Sequence, residues 1–235
     1  MILQKPKIPK KYQPPGFEIL HEDVDLIVGH KAADILTVAA LWEKTNTVHE
    51  SLNTYVRKGN PHSKKCVYVV HRLDQATSGV LIFAKTEKVQ NYLKDNWSST
   101  TKMYYAIVHG KLDKKNGLIE SYLTEDEDYV MHSTTDPEKG KLAKTEYDVV
   151  FETSYFSVLK INLLTGKKNQ IRVHLADLGH PIVGDQKYGK DKTSKHKNLL
   201  LHAFSISFTH PFKQQIMRAQ ADVPDYFNKV VEYKY

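Results

Sequence analysis

The 235-residue sequence reads as an α+β chain, and three observations carry that reading. Apolar runs of strand length, rich in β-branched and aromatic residues, recur from Phe17 to Phe208. Helical spacing of apolar residues is confined to a few short stretches. The two strongest apolar runs, residues 67–70 and 80–84, are separated only by residues 71–79. That excursion is too short for a parallel crossover helix, so these strands are expected to return antiparallel or to diverge.

Residues 1–16 are rich in Pro and Lys and are expected to be an extended basic arm, with a single catalytic domain over 17–235. Residues 17–20 and 26–28 read as short strands. Val48, Leu52, Tyr55 and Val56 recur at helical spacing, predicting a helix over 49–58 that Gly59, Asn60 and Pro61 end. After the central pair of strands, Thr86 is placed to cap a helix through Trp97, because Val89, Leu93 and Trp97 recur every four residues. Residues 102–110 alternate and are aromatic, so a strand ending at Gly110 is expected, with Tyr104 and Tyr105 available for cross-strand packing. Residues 113–117 read as a turn. Residues 133–144 are polar, contain Pro137 and Gly140, and are expected to be a mobile loop.

Residues 144–152 and 156–163 alternate on either side of Thr153 and Ser154, which predicts a β-hairpin. Residues 165–170 lead into a helix over 171–178. Ile171, Leu175 and Leu178 share one face of it, Gly179 fits the position just past its end, and Arg172 lies at the rim of the buried stripe. Residues 179–189 are turn-rich. Residues 187–197 hold five lysines and His196, a charge run whose default reading is a solvated loop. Residues 199–208 alternate as a strand stopped by His210 and Pro211, and Pro224 starts a terminal helix carrying Phe227, Val230 and Val231.

Composition bounds the function. Lys and Arg number 34 against 27 Asp and Glu, a formal charge of +7 that favours polyanionic partners. The single cysteine, Cys66, allows no internal disulfide, which suits a reducing cytoplasm. No apolar run approaches the roughly 20 residues of a membrane helix, and the first eleven residues lack the apolar region of a signal peptide. The twelve histidines are scattered without a His-Glu-x-x-His pattern or cysteine pairs, so no metal site is expected.

The chemistry-bearing stretch is His71, Arg72 and Asp74, an imidazole, a guanidinium and a carboxylate bracketed by apolar strands. One reading is an internal Arg72–Asp74 ion pair that pins a turn. The other is a rigid platform that holds Asp74 at a cleft. The stretch superficially matches the His-Arg-Asp loop of protein kinases, but the aspartate falls one residue late and neither a Gly-rich loop nor Asp-Phe-Gly accompanies it. Gly166 and Lys167 are not a phosphate-binding loop, because the upstream glycine of that motif is missing.

Five segments in order resemble the RluA-type pseudouridine synthases. They are His-Arg-Leu-Asp-x-x-Thr-Ser-Gly (71–79), Lys-x-Tyr-x-Ala-x-Val-x-Gly (102–110), Thr-Gly-x-x-x-Gln-Ile-Arg-Val-His-Leu-Ala (165–176), Gly-His-Pro-Ile-x-Gly-Asp-x-x-Tyr-Gly (179–189) and Leu-His-Ala with a downstream His-Pro (201–211). The resemblance implies a mixed, mainly antiparallel central sheet with flanking helices and a basic cleft. It implies isomerisation of uridine to pseudouridine in structured ribosomal or transfer RNA, by a monomer without cofactor or metal. Two departures stand out: Lys167 and Asn169 occupy positions where the family usually has Arg and His, and the small upstream RNA-binding domain of many relatives does not fit within the first 16 residues.

The resemblance assigns roles by position. Asp74 matches the catalytic carboxylate, Tyr104 the active-site tyrosine, and Arg172 the arginine that pairs with the aspartate. A buried cation beside Asp74 keeps it ionised, typically lowering its pKa by about 1–3 units. The target uridine must be flipped from its stack, and Arg72 is the candidate to fill the vacated space. His71, Leu201, Lys167, Lys168 and Gln170 complete the substrate-binding set, and Lys190, Lys192 and Lys195 in the charge run are candidates for phosphate contacts. Two other functions compete. A non-catalytic RNA-binding or remodelling module of the same fold would not need Asp74, Tyr104 and Arg172 together. A nucleoside or sugar hydrolase would need a second carboxylate, and no motif supplies one.

Overall fold

The computed structural model describes residues 3, 8–60, 62–189 and 196–235. Lys190, Lys192 and Lys195 lie outside the described residues. The elements in chain order are β1 (Phe17–Glu22), β2 (Leu26–Lys31), α1 (Val48–Arg57), β3 (Tyr68–Val69), β4 (Ser78–Ala84), α2 (Glu87–Asp95), β5 (Thr101–His109), β6 (Asn116–Glu125), β7 (Met131–Thr134), β8 (Lys141–Glu152), β9 (Phe156–Leu163), α3 (Gln170–Asp177), β10 (Leu201–Thr209), β11 (Ile216–Gln220) and α4 (Asp225–Asn228). The α+β expectation holds. The chain forms two compact units, residues 1–100 with 203–222 and residues 101–202 with 223–235.

In the first unit the strand order is β1-β2-β4-β10, with β11 on β10 and β3 on β4. The β1–β2, β2–β4, β3–β4 and β10–β11 ladders are antiparallel. Every residue of β4 is buried, which is why its sequence is a continuous apolar run rather than an alternation. Gly79 opens this strand at φ 126°, and a Cβ there would lie 2.3 Å from the Ala203 carbonyl oxygen. Only glycine lets the two backbones approach so closely.

The central apolar runs do return antiparallel, with Tyr68 opposite Ala84 and Val69 opposite Phe83. The expected strand over 67–70 is two residues long, because the chain turns away after Val69. The His71 ring then takes over from the ladder: its Nε2 accepts the Ile82 N–H at 3.2 Å. Thr86 caps α2 as expected, accepting the Val89 N–H at 3.3 Å. Val89 and Leu93 pack with Leu26, Val28, Ile82 and Phe208, and Trp97 lies against this core. The arm is not extended throughout: Lys10–Tyr12 form a 3-10 turn, and the Leu3 N–H donates to the Arg218 carbonyl at 2.9 Å.

In the second unit the order is β5-β9-β8-β6-β7, antiparallel in every ladder. The expected hairpin is β8–β9, with a register shift between Val149 and Phe151. The mobile loop expected over 133–144 is a correction: residues 131–134 and 141–144 are ladder strands, leaving 135–140 as the connection. Strand β6 and its partner β7 went unforeseen because neither alternates cleanly; β6 has only Leu123 buried. In α3, Ile171, Val173, His174 and Leu175 are buried, whereas Leu178 is 41% exposed. Leu178 is the C-cap, where the chain leaves the helix for Gly179 at φ 88°, so helical spacing no longer governs it.

Candidate active site

Asp74 sits in the connection between β3 and β4, and the first unit grips this connection from two sides. Thr37 Oγ1 donates to the Leu73 carbonyl at 2.9 Å and accepts the Leu73 N–H at 3.2 Å. Lys31, at the end of β2, is fully buried and donates to the carbonyls of Ala32 (2.8 Å), Ile35 (2.8 Å) and Gln75 (2.9 Å). The Thr77 N–H closes a turn onto the Asp74 carbonyl at 3.1 Å. Three carbonyls thus fix the ammonium, and the ammonium fixes the backbone one residue from Asp74. Burial lowers the Lys31 pKa to about 7, against the opposing charges of Asp34 and Asp74. Neither Thr37 nor Lys31 belongs to the motif that flags Asp74, and only the fold brings them to it.

Asp74 itself is half-buried and Arg72 is exposed. Arg72 pairs with no carboxylate among the described residues, so the reading of an internal Arg72–Asp74 pair pinning the turn fails. His71 is half-buried: besides accepting the Ile82 N–H, its ring lies 4.6 Å from that of Trp97. An imidazole nitrogen that accepts a backbone N–H is unprotonated. His71 therefore serves the platform at this nitrogen.

The second unit holds Tyr104 and Arg172. Tyr104 is on β5 opposite Ile161 and is 8% exposed. Its neighbour Tyr105 points to the opposite face of the strand, where it packs edge-on to Tyr235 at 5.1 Å. Arg172, in the first turn of α3, forms a two-pronged bond with Asp185: Nε to Oδ2 and Nη2 to Oδ1, both 2.8 Å. Burial pushes the Asp185 carboxyl up, but Arg172 and the N–H groups of Tyr188 and Lys187 outweigh it and hold the pKa below the ordinary value. Gly184 at φ 79° lets Asp185 reach this position, since a Cβ there would lie 1.9 Å from the Asn198 carbonyl oxygen. Asp185 went unassigned in the sequence, although a Gly-Asp pair after an apolar run is a signal for it.

The loop before α3 departs from the substrate-binding expectation at Gln170. This side chain is buried; Oε1 accepts from Thr165 Oγ1 (2.8 Å) and Lys167 N–H (3.0 Å), and Nε2 donates to the Lys144 carbonyl (3.0 Å) and Thr145 Oγ1 (2.9 Å). With both ends of its amide engaged, Gln170 braces the loop. Lys168 is exposed and pairs with the Glu125 carboxylate, and Lys167 is half-buried. Asn169 adopts φ 52°, a left-handed conformation that Asn tolerates better than most residues, and its Oδ1 accepts from the Tyr188 hydroxyl at 3.1 Å. Leu201 is buried at the start of β10.

Among the described residues, one group has the spacing of metal ligands: Asp23, Asp25 and His210. Asp23 Oδ2 already accepts from Lys213 Nζ at 2.7 Å and His210 Nε2 at 3.0 Å. His210 Nδ1 accepts the N–H groups of Phe212 and Lys213, so the ring proton is on Nε2, the nitrogen that faces Asp23. A lysine ammonium and an imidazole proton stand where a cation would, and the group is an electrostatic staple between two turns.

The chain is similar to known proteins in sequence and in fold. A family model described as RNA pseudouridylate synthase covers residues 25–177, and the chain belongs to that family. Within it, the RluA type is the matching branch. The chain is 33% identical over 203 residues to the dual-specificity RNA pseudouridine synthase RluA of Escherichia coli, covering 85% of this chain and 90% of that one. It is 34% identical over 194 residues to the ribosomal large subunit pseudouridine synthase D of Borreliella burgdorferi, covering 80% of this chain and 60% of the relative. Among solved structures, human RNA pseudouridylate synthase domain containing 4 shares the fold, with a TM-score of 0.74 at 22% identity and 89% of each chain covered.

Proposed function

We propose that this RNA pseudouridine synthase isomerises specific uridines of structured ribosomal or transfer RNA, with Asp74 as its catalytic carboxylate. The observation that carries the assignment is the Asp74 connection: a motif carboxylate, half-exposed, on a backbone fixed by Thr37 and the buried Lys31 ammonium. Preorganisation of this kind is what a reacting group needs. The ribosomal substrate is suggested by the name of the Borreliella relative, and a second RNA class by the dual specificity of RluA.

The reaction exchanges the bond between ribose C1′ and N1 of uracil for one between C1′ and C5. C5 loses a proton and N1 gains one, so no redox partner is required. Asp74 either adds to the ribose or deprotonates it when the C1′–N1 bond breaks. Arg172 is the motif arginine of the site, and Asp185 holds its guanidinium through Nε and Nη2. The Tyr104 ring stacks on the detached uracil, and its hydroxyl assists removal of the C5 proton. Arg72, exposed and without a carboxylate partner among the described residues, enters the space that the flipped base leaves. Leu201 packs against the base. The enzyme acts as a cytoplasmic monomer and needs neither metal nor cofactor.

The test is pseudouridine mapping of total cellular RNA with and without the protein. Loss of one or a few discrete pseudouridines in its absence is the expected outcome. An unchanged map, together with release of free uracil by the pure protein, would favour the hydrolase instead.

A further inference from the structure

Between Glu50 and Asp74 the chain carries five cations, Arg57, Lys58, Lys64, Lys65 and Arg72, and no carboxylate at all. Other lysines of the protein are matched to acidic partners: Lys85, Lys115 and Lys144 each hold a glutamate at 2.7–2.8 Å. Arg57, Lys58, Lys64 and Lys65 pair with no carboxylate among the described residues. Arg57 is half-buried and the three lysines are exposed. Glu22 comes to α1, where it accepts from the Tyr55 hydroxyl at 2.7 Å, but Lys85 already neutralises it. Glu50 lies in the first turn of the helix, about 10 Å along the axis from Arg57.

The backbone gathers these charges. The Arg57 carbonyl accepts the Asn60 N–H at 3.0 Å, and the Asn60 carbonyl accepts the Ser63 N–H at 3.1 Å. Asn60 Oδ1 accepts the His62 N–H at 2.9 Å, and Arg57 Nε donates to the Lys65 carbonyl at 3.2 Å. The last bond brings the two ends of the excursion together. Like charges held so closely repel one another. The dipole of α1 offsets this for Arg57 and Lys58 at its C-terminal end, but not for Lys64 and Lys65.

The excursion is also coupled to the Asp74 connection within the first unit. Asn53 Oδ1 accepts the Val67 N–H and His49 Nε2 donates to the Val67 carbonyl, both at 2.9 Å, so α1 grips the chain on its way into β3. Asp74 follows Lys65 by nine residues, at most roughly 30 Å of extended chain.

We propose that Arg57, Lys58, Lys64 and Lys65 form a phosphate-binding surface for the RNA backbone that flanks the target uridine. This rests on the reading of Asp74 as the place where the uridine reacts, and it names the part of the protein that holds the adjoining strand. Cations without counter-charge suit a polymer that presents phosphate at regular intervals, whatever its sequence. An acidic protein partner fits less well, because residues 57–65 contain no Leu, Ile, Val, Met, Phe, Tyr or Trp to anchor the apolar core of a protein interface.

The test compares wild type with the double variant Lys64→Gln/Lys65→Gln. A second double variant, Lys111→Gln/Lys114→Gln, removes the same charge from exposed lysines of the other unit. RNA extracted from cells lacking the protein serves as probe, and melting temperature, RNA affinity across a salt series and wild-type pseudouridine yield are measured together. Lys64→Gln/Lys65→Gln should melt like wild type, because both side chains are exposed and unpaired. Its slope of log affinity against log salt should fall by about 1.4–1.8, the value for two lost phosphate contacts. Lys111→Gln/Lys114→Gln should keep the wild-type slope. An unchanged slope for Lys64→Gln/Lys65→Gln, with pseudouridine still formed by the wild type, would remove this surface and leave the activity standing. An equal fall in both double variants would trace the effect to net charge and overturn the proposal. A selective fall without pseudouridine from the wild type would keep the surface and remove the activity. If Lys64→Gln/Lys65→Gln keeps its RNA affinity but no longer binds polyglutamate, the surface takes an acidic protein and the proposal is wrong.

Discussion

Arg172 and Asp185 meet through two parallel N–H···O bonds of 2.8 Å, with the carboxylate side chain fully buried. Removing the charge from one partner strands the other. Asp185→Asn should cost about 3 kcal/mol of unfolding free energy, in the range for breaking buried pairs. It should also reduce turnover beyond the decrease in folded protein, because the guanidinium loses its orientation. Urea denaturation and single-turnover assays on the same sample measure both; a stability loss with normal turnover per folded molecule would make the pair purely structural. At this scale the sequence exposed Asp74, Tyr104 and Arg172 through local motifs. It hid Asp185, Thr37 and Lys31, because each acts across 13 to 44 residues of chain by interactions that only folding creates. Gln170, a motif position expected to bind substrate, is buried with its whole amide engaged by the loop and by β8.

Among the elements, α3 carries the clearest pH signature. His174 is buried, with Nε2 3.0 Å from Ser121 Oγ and Nδ1 2.9 Å from Thr145 Oγ1. Burial lowers its pKa to about 4, against a weaker pull upward from Asp177. Between pH 6.5 and about 4 the unfolded chain binds a proton at this residue that the folded chain does not. Stability therefore rises with pH across that window and is lost on acidification, by up to about 1.4 kcal/mol per pH unit for one group. His174→Gln should flatten the dependence of the urea midpoint on pH between 6.5 and 4; an equal slope in both proteins would place the acid sensitivity elsewhere. The sequence marked the buried face of α3 by Ile171 and Leu175 but took Leu178 for part of it. Helical spacing continues on paper past the point where the chain has already left the helix. Strands β6 and β7 were missed for a related reason: both are largely solvated, so burial imprints little alternation on them.

For the whole molecule, charge is the property that reaches furthest. A formal charge of +7 makes RNA affinity strongly dependent on salt. Neutralising Lys190, Lys192 and Lys195 together should lower the slope of log affinity against log salt by roughly 0.7–0.9 for every phosphate that these lysines neutralise. If the slope is unchanged, the lysine run is a solvated loop. The assignment of function stands on Asp74, and Asp74→Asn tests it most directly, because size is kept while charge and nucleophilicity go. Melting temperature, RNA affinity and pseudouridine yield should be measured on one preparation. A catalytic Asp74 predicts a folded variant that still binds RNA and forms no detectable pseudouridine. Pseudouridine formed by a well-folded Asp74→Asn protein would contradict it.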